Sequence, residues 1–149
     1  MSEARGGRSR RSGHSIIELA IMLPVLTLLC LGTADFARVF YAGVELNTAA
    51  RAGAQYGSQS VLTAADATGM VAAAKLDAPN LTGVTASASQ CTCNTPSSVT
   101  ACASNYCLRD PQATFVTVDT QYLFQTAAPY PGIPSSLALT GKAVMVVGQ

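Results

Sequence analysis

The hydrophobic pattern changes period along the chain. From Leu19 to Ala34 sixteen consecutive residues carry no charge, and with Ile16 and Ile17 the run comes close to the ~20 residues that span a bilayer. This predicts a membrane helix. From Phe36 to Gly57 the apolar and small positions recur at steps of three and four (Phe36, Val39, Phe40, Gly43, Leu46, Ala50, Gly53, Gly57), so the helix is expected to continue, now amphipathic, to about Tyr56. The Phe36/Phe40/Leu46 stripe is the face expected to cover the rest of the chain. Arg51 lies toward the polar side, and small residues such as Gly53 would let a neighbouring helix approach closely.

Gly57 and Ser58 break that pattern, and Thr63 followed by Asp66 resembles a capping box with a short acid. A shorter second helix should follow, with Ala67, Met70, Val71 and Ala74 on one face and Asp77-Ala78-Pro79-Asn80 ending it. From Leu81 the period becomes two. Val84, Ala86 and Ala88, then Val116, Val118, Tyr122 and Phe124, then Ala143, Met145 and Val147 alternate with polar residues, predicting a small antiparallel sheet of three strands. The stretch from Ala127 to Ser136, with three prolines and Gly132, reads as a loop. The fold class is α+β, with the long helix packed on the sheet. Four segments follow: 1–13 a leader, 14–34 a transmembrane helix, 35–58 its amphipathic continuation, and 59–149 a globular head.

Composition agrees with one anchor and one small domain, since 49% of the residues are apolar and only 11% charged. Charge is unevenly placed. Arg5, Arg8, Arg10 and Arg11 against Glu3 give +3 up to Gly13, and five basic against seven acidic residues give −2 beyond it. Arginines ahead of the apolar run predict a cytoplasmic N-terminus and an exported head. With no basic surface beyond that leader, nucleic acid is not an expected partner.

Cys30 lies in the apolar run, while Cys91, Cys93, Cys102 and Cys107 form an even cluster in the head, which points to disulfides made in an oxidising compartment. Alternation along a strand puts Cys91 and Cys93 on one outward face, so they should not pair with each other. Of the three connectivities we favour nested bridges, Cys91 to Cys107 and Cys93 to Cys102. Four thiolates holding a metal are the competing use, although the C-x-C and C-x4-C spacing is not the usual zinc pattern.

Two residues interrupt the membrane run. Pro24 removes a hydrogen bond to the Ala20 carbonyl and is the candidate kink, although prolines are also tolerated in membrane helices without a role. Glu18 is the only charged side chain from Ser15 to Ala34, and it stands five residues after Gly13. A carboxylate there is expensive in lipid and needs a partner, or must reach the interface.

The sequence of basic leader, Gly13, His14-Ser15-Ile16-Ile17-Glu18 and then a membrane helix resembles the class III signal of type IV pilins. More closely, Ile17-Glu18-Leu19-Ala20-Ile21-Met22-Leu23-Pro24, Leu31-Gly32-Thr33-Ala34-Asp35-Phe36-Ala37-Arg38 and Asn47-Thr48-Ala49-Ala50-Arg51-Ala52-Gly53-Ala54-Gln55-Tyr56-Gly57 resemble the TadE-like proteins of tight-adherence (Flp) pilus systems. Leu19, where the family often has an aromatic, and Ala52, where it often has Glu, depart from that pattern. The resemblance implies cleavage between Gly13 and His14 by a prepilin peptidase on the cytoplasmic side. It implies a single-pass inner-membrane protein with a periplasmic head, and other pilins or pseudopilins and an inner-membrane assembly platform as partners. Glu18 would then pair with the new amino terminus of His14 on a neighbouring subunit and fix the register between helices.

An ordinary signal peptide ending near Gly32-Thr33-Ala34, releasing or anchoring a disulfide-stapled adhesion domain, is the main rival; Glu18 and the helical continuation past Ala34 argue against it. An enzyme is not expected. No histidine follows His14, so a Ser/His/Asp or Cys/His site cannot be built in the head of one chain, and no cofactor motif follows a strand. Asp35, Glu45, Asp66, Asp77, Asp110 and Asp119 read as scattered, solvated acids.

Overall fold

The computed structural model describes residues 12–93, 102, 107, 112–127 and 132–148, with side chains from Ser15 onward. Six elements follow in order: α1 (Ser12–Ser58), α2 (Val61–Ala65), α3 (Ala67–Leu76), β1 (Thr85–Thr92), β2 (Thr114–Gln125) and β3 (Ser136–Val146). The strands form one antiparallel sheet in the order β1-β2-β3. The chain divides into two compact units between Ala37 and Arg38. The α+β class, the long first helix and the three-stranded sheet are as the sequence pattern predicts.

In the first unit the apolar side chains of α1 are all turned outward: Ile16, Ile17, Leu19, Ile21, Leu28 and Leu29 are each at least 60% exposed. Helical hydrogen bonding takes up most of the backbone, and two hydroxyls are absorbed the same way. Thr27 Oγ1 donates to the Leu23 carbonyl at 2.8 Å and Thr33 Oγ1 to that of Leu29 at 3.0 Å. Apart from Glu18 and Cys30, most of what remains on the surface is hydrocarbon.

In the second unit the core lies between one sheet face and the helices. It gathers Ala50 and Ala54 of α1, Ala64 of α2, Met70 and Ala74 of α3, Val116 and Val118 of β2, and Ala143 with Val147. The buried face of α1 is made of Ala42, Glu45, Leu46, Ala49, Ala50, Gly53, Ala54 and Gly57. Phe36 and Phe40, expected to lead that face, are 73% and 67% exposed. The correction has a geometric cause. A Cβ built on Gly53 would meet the Met70 carbonyl oxygen at 2.7 Å, so α1 and α3 approach too closely for large side chains and the small residues define the contact. Arg51 is exposed.

The sheet adds one polar member to this interior. Thr120, on the inward parity of β2 with Val116 and Val118, is fully buried, and its hydroxyl donates to the Leu46 carbonyl at 2.9 Å. On the opposite face Lys142 and Asp119, directly opposed across β2 and β3, form a 3.5 Å ion pair. The guanidinium of Arg38 stacks 5.3 Å above the ring of Phe124, which is buried at the inward end of β2. Past β3, Gly148 N–H donates to the Ser58 carbonyl at 2.8 Å, satisfying a carbonyl at the end of α1.

The cap expected at Thr63 lies elsewhere. Ser60 caps α2 in a reciprocal box with Thr63, and Asp66 caps α3 by accepting from Gly69 N–H at 2.9 Å. Asp66 also accepts from the Tyr56 hydroxyl at 3.0 Å, which ties α3 back to α1. The Gly69 amide first, and then the Tyr56 hydroxyl, hold the Asp66 carboxyl below its ordinary pKa. A carboxyl lowered on folding contributes stability that is full above the ordinary carboxylate range and lost as pH falls through the lowered value. Asp66→Asn keeps a capping oxygen without titrating, so it should be less stable than the parent at neutral pH and converge with it in strong acid. Denaturant midpoints across that range check this; a constant difference would show that the charge is irrelevant. Of the loop expected from Ala127 to Ser136, residues 128–131 lie outside the described residues. Its closing end is a turn through Gly132 at φ +83°, after which Thr126 N–H pairs with the Ser135 carbonyl at 3.1 Å.

Candidate functional site

Gly13 and His14 fall in the first turn of α1, which begins at Ser12. Glu18 follows within the same continuous helix and is exposed, with Ile17 and Leu19 beside it equally open. Among the described residues no hydrogen-bond or ionic partner meets its carboxylate. Water would satisfy such a group, but hydrocarbon would not. Pro24 lies inside α1, and the helix runs on past it to Ser58. The helix is long and apolar enough to cross a membrane, and none of its most apolar stretch is buried. Cys30 on this segment is a free, exposed thiol.

The four head cysteines are joined as Cys91–Cys102 and Cys93–Cys107, with Cα separations of 4.9 and 5.5 Å. The two bridges are therefore interleaved, which overturns the nested pairing. Nesting would follow if the chain turned back on β1 as a hairpin through Cys102 and Cys107. The strand that does return along β1 is β2, with Cys91 opposite Phe115 and Cys93 N–H bonded to the Ala113 carbonyl at 3.0 Å. No ladder register then links Cys102 and Cys107 to β1, and the order of pairing is free of it. The sulfurs of Cys93, Cys102 and Cys107 lie within 4.8 Å of one another. All four thiols are consumed by the bridges, so none remains as a thiolate ligand.

Glu45, expected from sequence to be a solvated acid, is buried instead. It is 7% exposed, its Oε1 accepts from the backbone N–H and the side-chain amide of Asn80, both at 3.2 Å, and its Oε2 has no partner among the described residues. The signal was present in the spacing, because Ala42, Glu45, Leu46 and Ala49 stand at i, i+3, i+4 and i+7 on one helix face. Asp35 is likewise buried.

These features define a chain with one membrane-compatible helix, whose apolar stretch up to Ala34 bears a single carboxylate, and a small disulfide-bonded α+β head. A family model described as TadE-like protein matches residues 13–55, the segment from Gly13 through nearly all of α1, so the resemblance seen from Gly13 to Gly57 is borne out there. No curated protein and no solved structure matches the chain.

Proposed function

We propose that the chain is a minor pilin or pseudopilin that takes part in assembling a tight-adherence type IV pilus, at its initiation, priming or capping, and that it has no catalytic role. The observation that carries this reading is Glu18, five residues past Gly13, without a partner among the described residues on an exposed apolar helix within the TadE-like segment. On this reading the chain crosses the inner membrane once, with its leader cytoplasmic and its head periplasmic. A prepilin peptidase cuts between Gly13 and His14, which leaves the helix attached and creates a cationic amino terminus. Within a bundle of pilin helices the Glu18 carboxylate pairs with that terminus on a neighbour. Each charge offsets the other's desolvation, and the pairing sets axial register.

Mass spectrometry of the protein from cells containing the peptidase should find His14 as the first residue. Glu18→Ala should still be cut there but lose association with other pilins by roughly tenfold, the equivalent of ~1.4 kcal/mol. An intact N-terminus would refute processing. Normal assembly by the variant would refute the register role.

A further inference from the structure

We infer that the cleft over Glu45 is a docking notch for a lysine or arginine side chain carried by another protein chain. The cleft is an open depression of about 520 Å³. It lies wholly in the second unit, lined by Tyr41 and Val44 of α1 and Leu76 of α3, by the buried Glu45, and by the exposed Asp77 and Asn80 that follow α3.

Three observations converge on a cationic side chain. First, Glu45 is more than nine-tenths buried with Oε2 closed off and unbonded, an arrangement that costs free energy until a donor is supplied. Second, the lining holds two acids and no basic residue, so its charge selects a cation. Third, the walls are large apolar side chains left open, with Tyr41 58%, Val44 48% and Leu76 80% exposed. A bare metal ion would make no use of those walls. A lysine or arginine lays its methylene stem along them and carries its charged head to Glu45.

Entry requires one side chain to yield. The Asn80 amide bridges Glu45 Oε1 at 3.2 Å and Tyr41 Oη at 3.4 Å, both at or beyond the long end of hydrogen-bond distances. An arriving guanidinium replaces that amide on Oε1 and gives its second N–H to Oε2. The inference needs only a protein partner with a basic side chain and does not rest on the pilus reading.

The test uses the full chain in detergent micelles, with n-butylguanidinium as probe and n-butanol as its uncharged counterpart, followed by NMR at the Asn80 side-chain amide and the Leu76 methyls. Saturable shifts with n-butylguanidinium, and affinity about tenfold weaker in Glu45→Gln, are expected. Leu76→Ala, at an exposed position that cannot unfold the head, should weaken binding as well. Equal shifts with n-butanol, an unchanged affinity in Glu45→Gln, or the same resonances moving with magnesium or calcium alone would overturn the proposal. In cells, a photo-cross-linker at position 76 should attach to a protein segment containing Lys or Arg, with a yield that falls in Glu45→Gln. Attachment only to lipid, or to a segment without a basic residue, a second copy of this chain included, would overturn it too.

Discussion

Replacing Cys93 and Cys107 together by serine should lower the stability of the head by about 3 kcal/mol, enough to bring its melting temperature down by on the order of 10–20 °C. The magnitude follows from the loop that the bridge closes, a sequence separation of 14 residues whose freedom returns to the unfolded chain when the bond is lost. A head of this size has a small core, rich in alanine, and little reserve against that change. The same variant also reports the pairing. With interleaved bridges Cys91–Cys102 survives, and thiol titration of the unfolded, unreduced variant finds Cys30 alone. With nested bridges both bonds would be broken, and Cys91 and Cys102 would titrate as well. Extra thiols would therefore reject the interleaved arrangement, and an unchanged melting temperature would reject the stabilising role.

The cysteines illustrate what could and could not be read in advance. Periodicity located the strands because alternation is a local property, visible in Val116, Val118 and Phe124 without knowing their neighbours. Pairing is not local. It depended on which strand returned along β1, and the cysteine-bearing segment turned out not to be that strand. The long helix followed the same division. Its existence and its exposed apolar part are legible from length and composition, but large apolar residues dominate any hydrophobic pattern, so sequence alone points to Phe36 and Phe40 as its buried face. The face that packs is the alanine and glycine one, and only the approach of Met70 and Gly141 to its backbone reveals it. Thr120 and Glu45 are hidden in the sequence for a related reason. A polar residue on an inward register looks like an interruption until its partner, the Leu46 carbonyl or the Asn80 amide, is in view. Glu18 was the opposite case. A single carboxylate in an uncharged run is conspicuous in sequence, and the geometry adds that no described residue of its own chain answers it.

Gly141→Ala should destabilise the head by roughly 2–3 kcal/mol although it adds only one methyl group. Gly141 lies on β3 opposite Thr120. A Cβ there would stand 2.6 Å from the Leu46 carbonyl oxygen, 2.7 Å from its carbon and 2.7 Å from Thr120 Oγ1. None of these neighbours can turn away cheaply. The first two are the backbone of α1, and the third is held by the buried hydrogen bond to that same carbonyl. Relief requires α1 to lift from the sheet, which would stretch the Thr120 bond and open the layer beneath Ala49 and Ala50, both fully buried. Gly43→Ala is the contrasting case. Its added methyl meets nothing within 4 Å on the same helix, so the change should stabilise by about 0.5–1 kcal/mol through helix propensity alone. Denaturant unfolding of the two variants side by side separates steric contact from the loss of glycine itself. If both shift in the same direction, close packing of α1 on β3 is not what keeps position 141 a glycine.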